Sequence, residues 1–235
     1  MSADMKAVLF DLDGTLIDTA ADFIRIIQAM CREEQRPVVE ADLIRTQVSE
    51  GARAMVKLVY PELELDDPVF LQHRQRFLDM YAQQIVVDTD LFSGMYPLLE
   101  ELEAHQIPWG IVTNKPRGLS ELLLAELNLT ERCSVLVCPE DVSKTKPDPE
   151  PMYLAARQLN LPSEHIIYAG DHPRDIDAGR AAKMYTILAA YGYLPLEYQD
   201  DLDAWQADAI VQDVTELHCM LRQLLQLSSQ KPVSM

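Results

Sequence analysis

Short apolar runs recur along this chain, and polar residues stop each of them. Ala7 to Phe10 (AVLF) is apolar throughout and reads as a buried strand; Asp11, Asp13, Gly14 and Thr15 follow at once. A buried parallel strand is apolar from end to end, so acids stationed where it stops are not core. They sit at the carboxyl end of the strand, where open α/β sheets place their chemistry. From Asp18 to Met30 the period becomes helical, with Phe23, Ile24, Ile27 and Met30 recurring on one face. Arg36-Pro37 closes that helix. Further helices are predicted over Glu40–Val48, Ala52–Val59 and Pro68–Gln84, broken by Pro61 and Pro68. Before Asp90 only the short Ile85-Val86-Val87 has the look of a strand, so residues 18–90 read as an all-helical insert.

From Leu91 strands and helices alternate. Helices are predicted over Tyr96–His105, Leu119–Leu127, Pro149–Leu159 and Asp175–Ala182. Strands are predicted over Trp109–Val112, Val135–Cys138, Ile166–Ala169 and Tyr185–Ala189. Ala209–Val211 reads as an edge strand, Val214–Leu227 as a final helix and Ser228–Met235 as a frayed tail. Alternation of this kind predicts an α/β fold: a Rossmann-like, doubly wound parallel sheet with helices on both faces and right-handed crossovers. The expected division is a core of residues 1–17 and 91–235 with the insert at 18–90.

Bulk properties narrow the classes. With 235 residues, 48% of them hydrophobic, the chain can bury a full core. No apolar run reaches the length of a membrane span, and the first residues lack the basic and apolar regions of a signal peptide. A cytoplasmic location and no membrane partner are therefore expected. A net charge of −18 argues against nucleic acid as a partner. An anionic substrate then needs a local cluster of cations, backbone N–H groups or a metal. Cys31, Cys133, Cys138 and Cys219 are scattered and predict buried free thiols rather than zinc or a disulfide.

Four motifs carry chemistry. The first is KAVLFDLDGTLIDT, with carboxylates at i and i+2; DxDG also opens calcium loops, but the later ligands and closing Glu of an EF-hand are missing. Thr113-Asn114 ends the strand in WGIVTN, Lys146 precedes three alternating prolines in SKTKPDPEPMY, and Asp171 and Asp175 stand in YAGDHPRDIDAGRAA. In this order they resemble the phosphatase branch of the haloacid dehalogenase-like (HAD) superfamily. The resemblance implies phosphoryl transfer with Asp11 as nucleophile through an aspartyl-phosphate. Asp13 is then the acid for the leaving alcohol and the base for the hydrolytic water. Family dehalogenases lack an acid at that second position. Thr113, with Asn114 beside it, is implied to hold the phosphoryl group, and Lys146 to act as a point charge for phosphate and Asp11. Asp11, the Asp13 backbone carbonyl, Asp171 and Asp175 are implied to make an all-oxygen site for Mg²⁺, with Asp171 the direct ligand and Asp175 direct or through water. Carboxylates gathered in this way repel one another without a cation.

Neighbouring residues receive plainer readings. Lys115 is expected to be a solvated loop residue, with a place in the substrate pocket as the alternative; Lys144 is a decoy and Asp177 solvent-facing on its helix; His172, where relatives often carry Ser or Thr, is expected at the surface, with contact to a leaving group as the alternative. Lys183 occupies a position that is often Gly, so it either avoids a left-handed conformation or tolerates one.

In this superfamily a helical insert after the first motif forms a cap that reads the leaving group. Within VSEGARAMV, Gly51 lets the backbone turn and Arg53 is placed to clamp a substrate carboxylate, with an ordinary exposed helix Arg as the alternative. The motifs and insert resemble the phosphoglycolate phosphatase-like group over nearly the full length. The stretches ADFIRIIQAM, LIRTQVSEGARAMV, WGIVTNKP, CPEDVSKTKPDPEP and AAYGY resemble bacterial N-acetylmuramic acid 6-phosphate phosphatases of peptidoglycan recycling. The partner expected is thus a small phosphorylated metabolite, and the protein a monomer or homodimer. A phosphoglycolate phosphatase, a β-phosphoglucomutase-like phosphomutase and a noncatalytic HAD-like module remain open as alternatives.

Overall fold

The computed structural model describes residues 4–227. The tail expected to fray, 228–235, lies outside the described residues. In chain order the elements are β1 (Ala7–Phe10), β2 (Ile17–Asp18), α1 (Ala20–Glu33), α2 (Ala41–Arg45), α3 (Ala52–Val59), α4 (Pro68–Gln83), β3 (Asp90–Leu91), α5 (Met95–Ala104), β4 (Trp109–Val112), α6 (Arg117–Glu126), β5 (Leu136–Val137), α7 (Glu150–Leu159), β6 (Ile166–Gly170), α8 (Pro173–Ala181), β7 (Tyr185–Ala189), β8 (Ala209–Val211) and α9 (Val214–Leu224).

Six strands form one parallel sheet in the order β5-β4-β1-β6-β7-β8. The uninterrupted apolar runs fit its burial: β1, β4 and β6 are buried along their whole length. Alternate residues feed opposite layers. Val8 and Phe10 pack in the cluster that holds α5, α6 and α9, while Ala7 and Leu9 pack with Met152 and Ala155 of α7 and Ala178 of α8. The sheet is therefore sandwiched between two helical layers. The chain fold is the α/β class expected from the sequence.

Register fixes where the chemistry falls. Phe10 on central β1 lies opposite Ile111 on β4 and Ala169 on β6. Asp11 is thus one residue past the end of its strand, and Thr113 and Asp171 follow the neighbouring strands at the same edge. The Asp11 N–H donates to the Ala169 carbonyl at 2.8 Å, holding the acid against β6.

Helices α1–α4 leave and return through a two-stranded antiparallel ribbon in which Ile17 faces Leu91 and Asp18 faces Asp90. Asp18 therefore belongs to the ribbon, and α1 starts at Ala20 rather than at Asp18. Ile85-Val86-Val87 forms a turn, not a strand: Val87 is exposed and donates its N–H to Asp22. Asp22 itself is fully buried in α1. Its carboxylate accepts from the backbone of Val87 and Asp88 at 3.2 and 3.1 Å, from the Thr89 hydroxyl at 2.6 Å, and from Arg25. This one carboxylate ties the first helical turn after the ribbon to the segment that re-enters it.

Lys183 adopts φ 63°, so the helix end tolerates a left-handed residue with a side chain. All four cysteines are free thiols, but only Cys31 and Cys138 are buried; Cys219 is exposed, against expectation. No helix among the described residues is long and apolar enough to cross a membrane.

Candidate active site

The loop after β1 folds back so that Leu16 and Ile17 donate to the Leu12 carbonyl, and Gly14 N–H donates to the Ile17 carbonyl. Gly14 has φ +86°, and a Cβ there would lie 2.1 Å from Asp171 Oδ2. Glycine is thus required both by backbone conformation and by the close approach of the acid from β6. Gly192 is similarly constrained: a Cβ would lie 2.3 Å from the Gly14 carbonyl oxygen.

At the sheet edge Asp11, Asp171 and Asp175 are all buried and each can offer an oxygen to one point; these ligand atoms lie within 4.8 Å of one another. Lys146 reaches into them. Its fully buried ammonium sits 2.8 Å from Asp11 Oδ1 and 2.7 Å from Asp175 Oδ1, and it donates to the Val112 carbonyl at 2.9 Å and to Tyr168 Oη at 2.8 Å. Asp11 Oδ1 has the Lys146 ammonium as its ion-pair partner and no further donor among the described residues. Lys144 pairs with Asp148 and is exposed, as expected of a decoy.

The three acids differ electrostatically. Burial raises the Asp11 carboxyl above the ordinary carboxylate range; the Lys146 charge opposes that rise and the Asp175 charge adds to it. Burial, with the charges of Asp11 and Asp175, pushes Asp171 up to about 8. Asp175 is also penalised by burial, but Lys146 and Arg174 outweigh this and hold it below the usual range. At Asp175, Oδ2 takes the His172 N–H at 3.1 Å and Oδ1 faces Lys146 and Tyr168. Asp171 accepts from Thr15, Ser49 and the Tyr193 N–H.

This donor set fits a hard divalent cation such as Mg²⁺. It is all oxygen, it is self-repelling, and its buried Asp11 oxygen has only the Lys146 ammonium beside it among the described residues. Asp11, Asp171 and Asp175 can each offer an oxygen to such a cation. Asp175, which also faces Lys146, can in addition orient that ammonium.

Around this edge lies a cavity of about 270 Å³, whose lining includes Asp11, Asp13, Thr113, Asn114, Arg53 and residues of α1 and α4. Thr113 Oγ1 accepts from the Lys115 N–H at 3.1 Å, leaving its own proton available to a ligand. Asn114 lines the cavity but spends its amide on the Lys146 carbonyl at 3.0 Å, so it shapes the lysine loop. Arg53 lies at the cavity with an exposed side chain and also lines a second, open groove beside Leu196.

Two plain readings from the sequence are corrected. Lys115 is not solvated; it lines the cavity, as its alternative reading had it. Its ammonium lies 2.9 and 3.1 Å from the two oxygens of Asp13, 3.1 Å from the Tyr81 hydroxyl, and over the rings of Phe23 and Tyr81. His172 is not a surface residue either; it is 8% exposed. Its Nδ1 accepts the Arg174 N–H, which leaves Nε2 to donate to Glu50 Oε1 at 2.8 Å. That contact, with Ser49 donating to Asp171 at 3.0 Å, brings the loop between α2 and α3 onto the acids of β6. Asp177 is exposed, as expected. Sequence reasoning missed Ser49, Glu50, Arg74, Tyr81 and Tyr193, whose roles depend on contacts between distant segments.

Residues 8–189 match the family model described as haloacid dehalogenase-like hydrolase. An N-acetylmuramic acid 6-phosphate phosphatase of Pseudomonas putida is 43% identical over 213 residues, 91% of this chain and 94% of that one. A phosphoglycolate phosphatase of Xanthomonas campestris pv. campestris is 37% identical over 212 residues, 90% of this chain and 94% of that one. Among solved structures, a predicted phosphoglycolate phosphatase from Haemophilus somnus superposes with a TM-score of 0.82 at 23% identity, covering 94% of this chain and 99% of the other. The acids at the end of β1, the buried lysine and these likenesses converge: the chain belongs to the haloacid dehalogenase-like hydrolase family.

Proposed function

We propose that the protein is a Mg²⁺-dependent phosphomonoester hydrolase whose substrate is N-acetylmuramic acid 6-phosphate. The observation that carries the reaction is the pairing at the end of β1: a buried Asp11 beside the Lys146 ammonium, and Asp13 two residues on in the same cavity.

In the first step an Asp11 carboxylate oxygen attacks phosphorus and the bond from phosphorus to the ester oxygen breaks. Asp13 gives its proton to the departing alcohol. In the second step a water attacks the aspartyl-phosphate, Asp13 takes the water proton, and the bond between phosphorus and Asp11 breaks to release phosphate. Thr113 donates its hydroxyl to a phosphoryl oxygen. Lys146 neutralises charge beside Asp11 while Asp175 and Tyr168 hold it in place. Mg²⁺, held by Asp11, the Asp13 carbonyl, Asp171 and Asp175, would supply electrophilic charge for the phosphoryl oxygens.

Residues 18–90 act as the cap. Their loop at Ser49 and Glu50 meets the core, and α1 and α4 wall the cavity opposite Asp11 and Thr113. Arg53, exposed at the rim, adds positive charge where an anionic substrate enters. The substrate assignment rests on the Pseudomonas putida relative. A cavity of about 270 Å³ supports it, offering more space than a two-carbon acid fills. The Xanthomonas relative favours a second reading, 2-phosphoglycolate.

The test is phosphate release from N-acetylmuramic acid 6-phosphate by the wild type and by Asp11→Asn. Turnover with Mg²⁺, lost on chelation and absent in Asp11→Asn, is expected. Undiminished turnover by Asp11→Asn would overturn the mechanism.

A further inference from the structure

Acids outnumber bases in this chain, 38 to 20. An arginine therefore finds a carboxylate easily, and four of the helical segment do, while Arg32, which donates to Gln28, and Arg53 are exposed to solvent. Arg76 pairs with Glu33 and Glu34, Arg36 with Glu62, Arg45 with Asp18 and Arg25 with Asp22. Arg74 is different. It lies on α4, four residues after Phe70 and three before Phe77, which puts it on the face that buries Phe70, Phe77 and Tyr81. That face walls the cavity over Asp11, and Arg74 is part of the lining. The residue is half-buried, and no side chain or backbone group among the described residues pairs with it. Its Nε is sealed from solvent without a hydrogen-bond partner.

Removing a polar donor from water without giving it a partner is unfavourable, and more so for a cation. A half-buried arginine on an otherwise apolar helical stripe, in a chain rich in acids, is thus a group whose counter-ion comes from outside. The phosphoryl end of a substrate is already provided for by Thr113 and Lys146 at the sheet edge. A second negative charge on a substrate would lie on its leaving alcohol.

We infer that Arg74 is a specificity-determining residue that pairs with a carboxylate on the leaving group, while Phe77 and Leu78 on the same helix cover that group's apolar surface. A guanidinium suits this role because its planar fork matches a carboxylate in two parallel hydrogen bonds. Arg53, exposed at the rim, is the weaker partner. The inference rests on the phosphatase reading and refines what that site selects.

The experiment compares wild type, Arg74→Gln and Arg74→Lys on N-acetylmuramic acid 6-phosphate and on N-acetylglucosamine 6-phosphate, which lacks the lactyl carboxylate. Arg74→Gln is expected to lower kcat/KM for the carboxylated ester about 10- to 100-fold, chiefly through KM. The neutral ester should change less than about threefold, and Arg74→Lys should recover part of the loss. The metal-free Tm of Arg74→Gln should equal or exceed that of wild type, because an unpaired cation has been removed. Equal losses on both esters, or a clear fall in Tm, would mark Arg74 as structural and overturn the inference. A wild type that does not prefer the carboxylated ester would overturn it too, leaving the phosphatase reading intact. If wild type released phosphate from neither ester, that reading would fail. Calorimetric binding of N-acetylmuramic acid 6-phosphate to Asp11→Asn, with and without Arg74→Gln, would then decide Arg74 separately: weaker binding with the second change sustains it, unchanged binding overturns it.

Discussion

The Lys115 ammonium lies 2.9 Å from Asp13 Oδ1 and 3.1 Å from Oδ2, and the same ammonium touches the Tyr81 hydroxyl on α4. A cation from the loop after β4 thus connects the proposed acid–base carboxylate to a helix of the proposed cap. Thr19 adds a second restraint, donating to Asp13 Oδ1 at 2.8 Å. Lys115→Met should lower kcat about 10- to 100-fold on any phosphate ester, because Asp13 loses its orienting partner. Tyr81→Phe removes one contact and leaves the ion pair, so its effect should be several-fold smaller. Steady-state kinetics check both; a Lys115→Met enzyme with wild-type kcat would remove Lys115 from the account.

Asp22 predicts a stability effect remote from the chemistry. Truncation to Ala strips partners from the N–H groups of Val87 and Asp88, the Thr89 hydroxyl and Arg25. The cost should be about 3 kcal/mol, or roughly 6–12 °C in Tm for a domain of this size. A thermal melt measures it. Asp22→Asn keeps some acceptor capacity and should lose less; an unchanged melt for Asp22→Ala would show that the returning segment does not depend on this carboxylate.

Asp171 opposes folding when no cation is present, since it is buried beside two other acids. Asp171→Asn should therefore raise the metal-free Tm, by roughly 1–3 kcal/mol of stability. Wild type should gain stability as Mg²⁺ is added, and the variant should gain little. Melts with and without Mg²⁺ decide this. Equal Mg²⁺ responses would take Asp171 out of the metal site.

Lys146 has both roles at once. Lys146→Ala should lose about three or more powers of ten in kcat/KM, as expected for removal of a preorganised charge at a phosphoryl group. It should also cost roughly 3–5 kcal/mol of stability in the absence of metal, because Asp11 and Asp175 lose a common buried counter-ion. Kinetics and denaturant melts read the two effects; full activity with wild-type stability would contradict both.

The sequence made some of this legible and hid the rest for a physical reason. Asp11, Thr113, Lys146 and Asp171 announce themselves because each follows an apolar run or stands among prolines, and a polar residue at such a stop has a local signature. Lys115, Asp22 and Arg74 have none. Lys115 looks like loop charge until α4 brings Tyr81 to it across 34 residues. Asp22 looks like the wet side of a helix until residues 87–89 cross it. The segment Ile85-Val86-Val87 misleads for the same reason: three apolar residues satisfy a strand pattern, but the Asp22 carboxylate captures the backbone of Val87 and Asp88 as a turn. Arg74 shares the helical stripe of Phe70 and Phe77, yet only the fold shows that no acid among the described residues reaches it.

The most direct measurement is kcat/KM for N-acetylmuramic acid 6-phosphate against 2-phosphoglycolate, with purified protein and Mg²⁺ and with Asp11→Asn as the blank. The account predicts a preference for the sugar acid of at least about 100-fold, since its ring and lactyl group would meet Phe77, Leu78 and Arg74 while the two-carbon acid would not. Comparable values, or a preference for 2-phosphoglycolate, would contradict the substrate assignment.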